Sequence, residues 1–241
     1  MLWSPPELAD LDAYMAAARG ARAHVLVTFA HSRVEGHEDD IPKPATWRKL
    51  FRQFRARYPQ VHDFQAWNEA NHGTQPTLRA PRRAAQLYDV MRSACRRCTI
   101  SAPAVLDAPN MLSWIRAFRR AAKHTVRIWS IHNYLDANRG RSIGTRKFLR
   151  NVRGTVWFTE TGGIANRWVS GRRVRAYTVR HAAVAVRQVF KLARLSPRVK
   201  RVYFYNWTAP TEARPRWDSA LIGPNGKPRP AYTVIRRELK R

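Results

Sequence analysis

The sequence predicts an α/β chain in which parallel strands alternate with outer helices. Three observations predict it. Short apolar runs of strand length recur along the chain, amphipathic helical stripes lie between them, and the connections are short. At 241 residues with 44% hydrophobic composition, the chain has enough apolar surface for a large core and is expected to form one domain over residues 1–241.

The chain opens on a helix, with Leu8, Leu11, Met15 and Ala18 spaced by three and four and Gly20 as a stop. A Val-containing run from His24 to Phe29 reads as the first strand, and a loop with Gly36, Pro42 and Pro44 follows. The second helix places Trp47, Leu50, Phe51, Phe54 and Tyr58 on one face and ends at Pro59. A strand from Val61 to Trp67 comes next. The third helix starts near Pro81 and lines up Ala84, Leu87, Tyr88, Met91 and Cys95. Ile100 to Val105 reads as a strand, Pro109 to Ala122 as a helix burying Leu112, Ile115 and Phe118, and Val126 to Tyr134 as a strand. A short helix is expected over Ile143 to Val152, a strand over Thr155 to Thr159, and a long helix over Val174 to Leu195 with Ala182, Ala185, Val189 and Ala193 in line. The strand Val199 to Trp207, a turn-rich loop and a helix from Tyr232 complete the series.

That makes six strands, whereas a closed barrel of alternating strands and helices needs eight. No candidate for the first two is visible, so the expectation is a chain that starts late, with an open six-stranded sheet as the alternative. No secretory leader stands at Met1, and no run of 18 apolar residues offers a membrane span.

The formal net charge is +29, from 45 basic and 16 acidic residues. Such an excess raises nucleic-acid binding as an alternative. The basic residues are scattered through the helices, however, and no zinc-finger spacing, RNP motif or helix-turn-helix accompanies them. Cys95 and Cys98 are too few for a four-ligand zinc site and follow a helix, so a local disulfide is expected, and with it an oxidising compartment.

Two acids stand directly after predicted strands, Glu69 after Phe64–Asn68 and Glu160 after Val156–Thr159. The carboxyl ends of parallel barrel strands converge on one face, where sites form. Glycoside cleavage needs such a pair, one carboxyl protonated to assist the leaving oxygen and one ionised to attack the sugar carbon.

Ala66-Trp67-Asn68-Glu69-Ala70-Asn71 resembles the Asn-Glu acid/base motif at the fourth strand of clan A glycoside hydrolases, which are TIM-type (β/α)8 barrels. Trp157-Phe158-Thr159-Glu160-Thr161-Gly162-Gly163 resembles their seventh, nucleophile strand. Ile131-His132-Asn133-Tyr134 is similar to the sixth-strand segment, and Tyr203-Phe204-Tyr205-Asn206-Trp207, with Ser219–Tyr232 after it, to the eighth strand and its exit.

The resemblance spans about residues 24 to 235. It implies a barrel whose third to eighth strands are visible and whose first two are missing. It further implies a retaining O-glycoside hydrolase acting on a polysaccharide or oligosaccharide, with Glu69 as acid/base and Glu160 as nucleophile. Asn68 would then bond the sugar 2-hydroxyl, Tyr134 would donate to Glu160, Trp207 would stack under the sugar, and His31 and His132 would contact substrate. The basic residue that clan members commonly carry on an early strand is not assigned, because the first two strands are not visible. A catalytically inactive carbohydrate-binding relative is the alternative. No metal or cofactor is implied, and the expected location is extracellular. Arg139, Arg141, Arg172 and Arg173 fall in loops on the site side, where an acidic glycan would suit them.

Overall fold

The computed structural model describes residues 5–240. It divides into two compact units, Met1–Ala104 with Ser113–Val126, and Val105–Leu112 with Arg127–Arg241.

In the first unit the order is α1 (Pro5–Gly20), β1 (Leu26–Thr28), α2 (Pro44–Arg57), β2 (Asp63–Gln65), α3 (Pro81–Ala94) and β3 (Thr99–Ser101). The three strands form one parallel sheet in the order β1-β2-β3, with Val27 opposite Phe64 and Phe64 opposite Ile100. The stripe read on α2 is the one that is buried: Trp47, Phe51, Phe54 and the following Tyr58 face the core, while Lys49, Arg52 and Arg57 are exposed. The core is a cluster of rings. Phe29 meets Trp47 edge-on at 4.8 Å, and Phe51 meets Phe64 edge-on at 5.0 Å. Edge-to-face packing of this kind adds to area burial. α1 is tied down differently: the Tyr58 hydroxyl donates to Asp12 Oδ1 at 2.7 Å, and Arg57 pairs with the same carboxylate. At the exit of α3, Cys95 and Cys98 form a disulfide with Cα atoms 5.3 Å apart.

The second unit is built around a four-stranded sheet. Along the chain come β4 (Ala104–Leu106), α4 (Met111–Ala121), β5 (Ile128–His132), α5 (Tyr134–Asn138), α6 (Ile143–Asn151), β6 (Thr155–Thr161), β7 (Trp168–Val169), β8 (Arg172–Arg173), α7 (Val179–Ala193), β9 (Val199–Phe204) and α8 (Pro230–Glu238). α4 lies in the first unit from Ser113 onward, where Trp114 stacks on Phe118 at 5.4 Å. The sheet order is β4-β5-β6-β9, with β6 parallel to both β5 and β9. Val156, Trp157 and Phe158 are all buried in succession, as a strand covered on both faces requires. A second core cluster joins Ala182, Ala183 and Val186 of α7 to Leu221 and to Ala231 and Val234.

Several expected boundaries differ. The strand expected over Ile100 to Val105 is two short strands, because Pro103 between them has no N–H to give a ladder. Tyr134 does not end a strand but begins the helix α5. The long helix starts at Val179 rather than Val174, since the Thr178 side chain caps it by accepting from the His181 backbone N–H at 3.0 Å. Residues 174–178 form a turn, and the β7–β8 hairpin, which the periodicity does not reveal, lies before them. Among the described residues no helix is long and apolar enough to cross a membrane.

Candidate active site

In the first unit, the chain turns sharply after β2. Asn68 N–H donates to Phe29 O at 2.6 Å and Ala104 N–H to Trp67 O at 2.9 Å, so neighbouring segments fasten this corner from both sides. Glu69 itself has φ of +41°, and its carbonyl accepts from His72 N–H at 2.7 Å. A non-glycine residue in the left-handed region costs free energy and persists only where its surroundings hold it there, commonly at functional positions. Glu69 and Asn68 are half-buried.

His31 reaches this corner through Gln75. The Trp67 indole N–H donates to Gln75 Oε1 at 3.0 Å, leaving the Gln75 amide to donate to His31 Nδ1 at 2.8 Å. Nδ1 therefore accepts, and the neutral ring carries its hydrogen on Nε2, available for an acceptor. A cavity of about 1250 Å³ lies within this unit and is lined by His31, Trp47 and Trp67 together with Tyr14, Glu7 and Asp10 of α1.

The second unit carries Glu160, near the carboxyl end of β6 and half-buried. The Tyr134 hydroxyl donates to Glu160 Oε1 at 3.0 Å, and buried His132 places Nδ1 3.8 Å from Oε2. The hydroxyl donated by Tyr134 favours the ionised carboxylate. Tyr134 is positioned from behind by an acid that the sequence reading passed over. Asp107, just after β4, accepts from Leu135 N–H at 3.1 Å and from Asp136 N–H at 2.6 Å, capping α5. Burial pushes the Asp107 carboxyl up to about 6, against the pull of those two backbone donors. Asp136 in turn accepts from Thr145 N–H at 2.6 Å at the start of α6 and pairs with Arg141 at 3.3 Å.

The corner after Glu160 depends on two glycines. A Cβ on Gly162 would meet Tyr205 O at 2.8 Å, and one on Gly163 would meet Ala182 O at 2.1 Å. Asn138 spans the same corner, donating to Gly162 O at 2.9 Å and accepting from Ile164 N–H at 2.8 Å. Beyond β9, Tyr205–Asn206 is a cis peptide, and Trp207 is 61% exposed with its ring edge-on to Tyr232 at 5.9 Å. The Tyr134 ring meets Trp217 edge-on at 4.9 Å, and the Trp217 indole N–H donates to Ser219 Oγ at 3.0 Å.

Of the residues singled out by sequence, Tyr134 and His132 each lie within 4 Å of the Glu160 carboxylate, and Asn68 and Glu69 share a corner linked to His31 through Trp67 and Gln75. Trp207 stands at the exit of β9, with its ring against Tyr232. Asp107, Asn138 and Trp217 were missed. The first two act through backbone groups, which leave no motif. Trp217 stands in the turn-rich loop only two residues before the Ser219–Tyr232 stretch that resembles the exit of the eighth strand.

The model of the glycosyl hydrolase catalytic core matches residues 43–234. The chain belongs to that family. This glycosyl hydrolase is a glycosidase, and its fold is that of the clan A barrel enzymes that its Asn-Glu and Thr-Glu motifs resemble. A thermostable mutant of a xylanase from Cellvibrio japonicus superposes with a TM-score of 0.73 at 11% identity, over 100% of this chain and 86% of that one. Xylanase 10B from Thermotoga maritima gives 0.68 at 13% identity, over 95% and 78%. A GH5_18 protein from Streptomyces cattleya, in complex with Manβ1-4GlcNAc, gives 0.69 at 16% identity, over 100% and 68%. None of the curated proteins matches the sequence significantly.

Proposed function

We propose that this glycosidase cleaves a polysaccharide or oligosaccharide with net retention, by double displacement, with residues 1–241 acting as one catalytic domain. The observation that carries the reading is the Glu160 carboxylate at a strand end with the Tyr134 hydroxyl donated to it at 3.0 Å. A carboxylate kept ionised by a buried donor suits a nucleophile. Glu160 attacks the anomeric carbon while Glu69 gives its proton to the departing glycosidic oxygen. Glu69 then takes a proton from water, which attacks the same carbon and breaks the bond to Glu160.

This chemistry requires the two carboxyl groups to stand about 5–5.5 Å apart. Asn68 bonds the sugar 2-hydroxyl, His31 contacts another hydroxyl, and Trp207 offers an exposed face to a sugar ring; His132, only 1% exposed, lies against Glu160 and not against the sugar. The disulfide Cys95–Cys98 supports an extracellular location, because such bonds persist in oxidising compartments.

The experiment is hydrolysis of activated aryl glycosides by native protein and by Glu160→Ala, with the anomer of the first product read by NMR. Loss of turnover in the variant and retained configuration are expected. Turnover undiminished in the variant, or an inverted first product, refutes the assignment.

A further inference from the structure

The second unit concentrates positive charge beside the ring that abuts Tyr134. Residues 164–180 hold five arginines and no acid, and residues 211–217 hold two arginines against Glu212 alone. The two stretches are joined. Trp168 N–H donates to Pro215 O at 3.0 Å, and Ala165 N–H to Asp218 O at 2.7 Å.

Two of these arginines are parked on indoles. The Arg167 guanidinium lies over Trp217, 5.2 Å from the ring centre, and that of Arg214 over Trp168, at 5.3 Å. Cation–π contact holds each cation in place while leaving its in-plane N–H donors unspent. Neither has a carboxylate partner among the described residues, and the nearby Asp218 is already taken up by Arg229 at 2.7 and 2.8 Å. Trp217 is the same ring that packs against Tyr134, which donates to Glu160. Indole faces that would otherwise be open to a neutral sugar are thus occupied by fixed cations.

We propose that the substrate is an anionic glycan, bearing carboxylate or sulfate on a sugar near the cleaved bond, and that Arg167 and Arg214 bind that anion. The proposal rests on the reading of Glu160 as nucleophile, since that places the arginines beside the bound chain. A planar guanidinium pairs with carboxylate or sulfate oxygens by two parallel hydrogen bonds, which a neutral hydroxyl cannot match.

The test uses the full chain. Binding of oligogalacturonate, a sulfated galactan oligosaccharide and a neutral xylo-oligosaccharide is measured by calorimetry, and release of reducing ends is followed with each. Native protein is expected to bind one of the anionic probes at least about tenfold more tightly than the neutral one, and whichever is preferred names the anion. Arg167→Met keeps an aliphatic chain over Trp217, and Arg214→Met does the same over Trp168. Each should weaken anionic binding by about tenfold to a hundredfold, the change expected for a charge-assisted bond. Arg187→Met, which removes an exposed arginine of α7, should leave the preference as it was.

Equal affinity for neutral and anionic probes, no binding of either, or equal weakening by all three substitutions overturns the proposal. So does single-stranded DNA binding as tightly as the preferred glycan, since that is attraction to net charge alone. Arg167-dependent binding without release of reducing ends upholds this proposal and removes the catalytic reading. Release from the neutral probe alone does the reverse.

Discussion

Tyr134→Phe isolates one hydrogen bond. The substitution removes the hydroxyl that donates to Glu160 Oε1 at 3.0 Å and keeps the ring that meets Trp217 edge-on at 4.9 Å. Packing is therefore preserved and only the donor is lost. A hydrogen bond to a charged acceptor contributes about 1.5–3 kcal/mol. That stabilisation applies to the ionised carboxylate and is absent once Glu160 is protonated, so its loss favours the protonated form. At 1.36 kcal/mol per pH unit, the acid limb of the activity profile should move up by about one to two pH units. Hydrolysis of an aryl glycoside, measured from pH 4 to 9 with native and variant protein, reads the shift directly. The same preparations should melt at closely similar temperatures. A variant whose acid limb coincides with that of native protein would show that Tyr134 does not hold the charge on Glu160. A variant with a lost near-ultraviolet spectrum would instead assign Tyr134 a packing role.

Two further outcomes follow from the same region. Gly163→Ala places a Cβ 2.1 Å from Ala182 O, so α7 must move or the corner after Glu160 must open; a loss of about 1–3 kcal/mol in denaturant unfolding is expected, and unchanged stability would contradict the close approach. Asp107, raised from 3.8 to about 6, binds its proton more tightly folded than unfolded, so its contribution is full below about pH 4 and is lost as pH rises through 6. The stability difference between native protein and Asp107→Asn should fall by about 3 kcal/mol across that window, and a difference flat with pH would refute the burial argument.

The period of α2 was legible because one face packs on a ring cluster and the other meets water, and Trp47, Phe51 and Phe54 are buried accordingly. Strand-length apolar runs marked β5, β6 and β9, and the glutamates stood out because, among only 16 acids, two follow predicted strands at the ends where barrel sites form. Boundaries were less legible wherever a single side chain decided them. Pro103 splits a strand, and Thr178 starts a helix five residues later than periodicity suggests.

The sequence by itself determined the alternation of strands and helices, the helix faces and the two acids at strand ends, because each is written in residues close together along the chain. The hydrogen bond from Tyr134 to Glu160 was an expectation of the family resemblance; only the tertiary structure decided that Asp107 caps the helix holding Tyr134, and that Arg167 rides on Trp217 against that same tyrosine. Those contacts join residues far apart in sequence. Hydrogen bonds and ring packing act over a few ångströms of space, and distance along the chain does not register them.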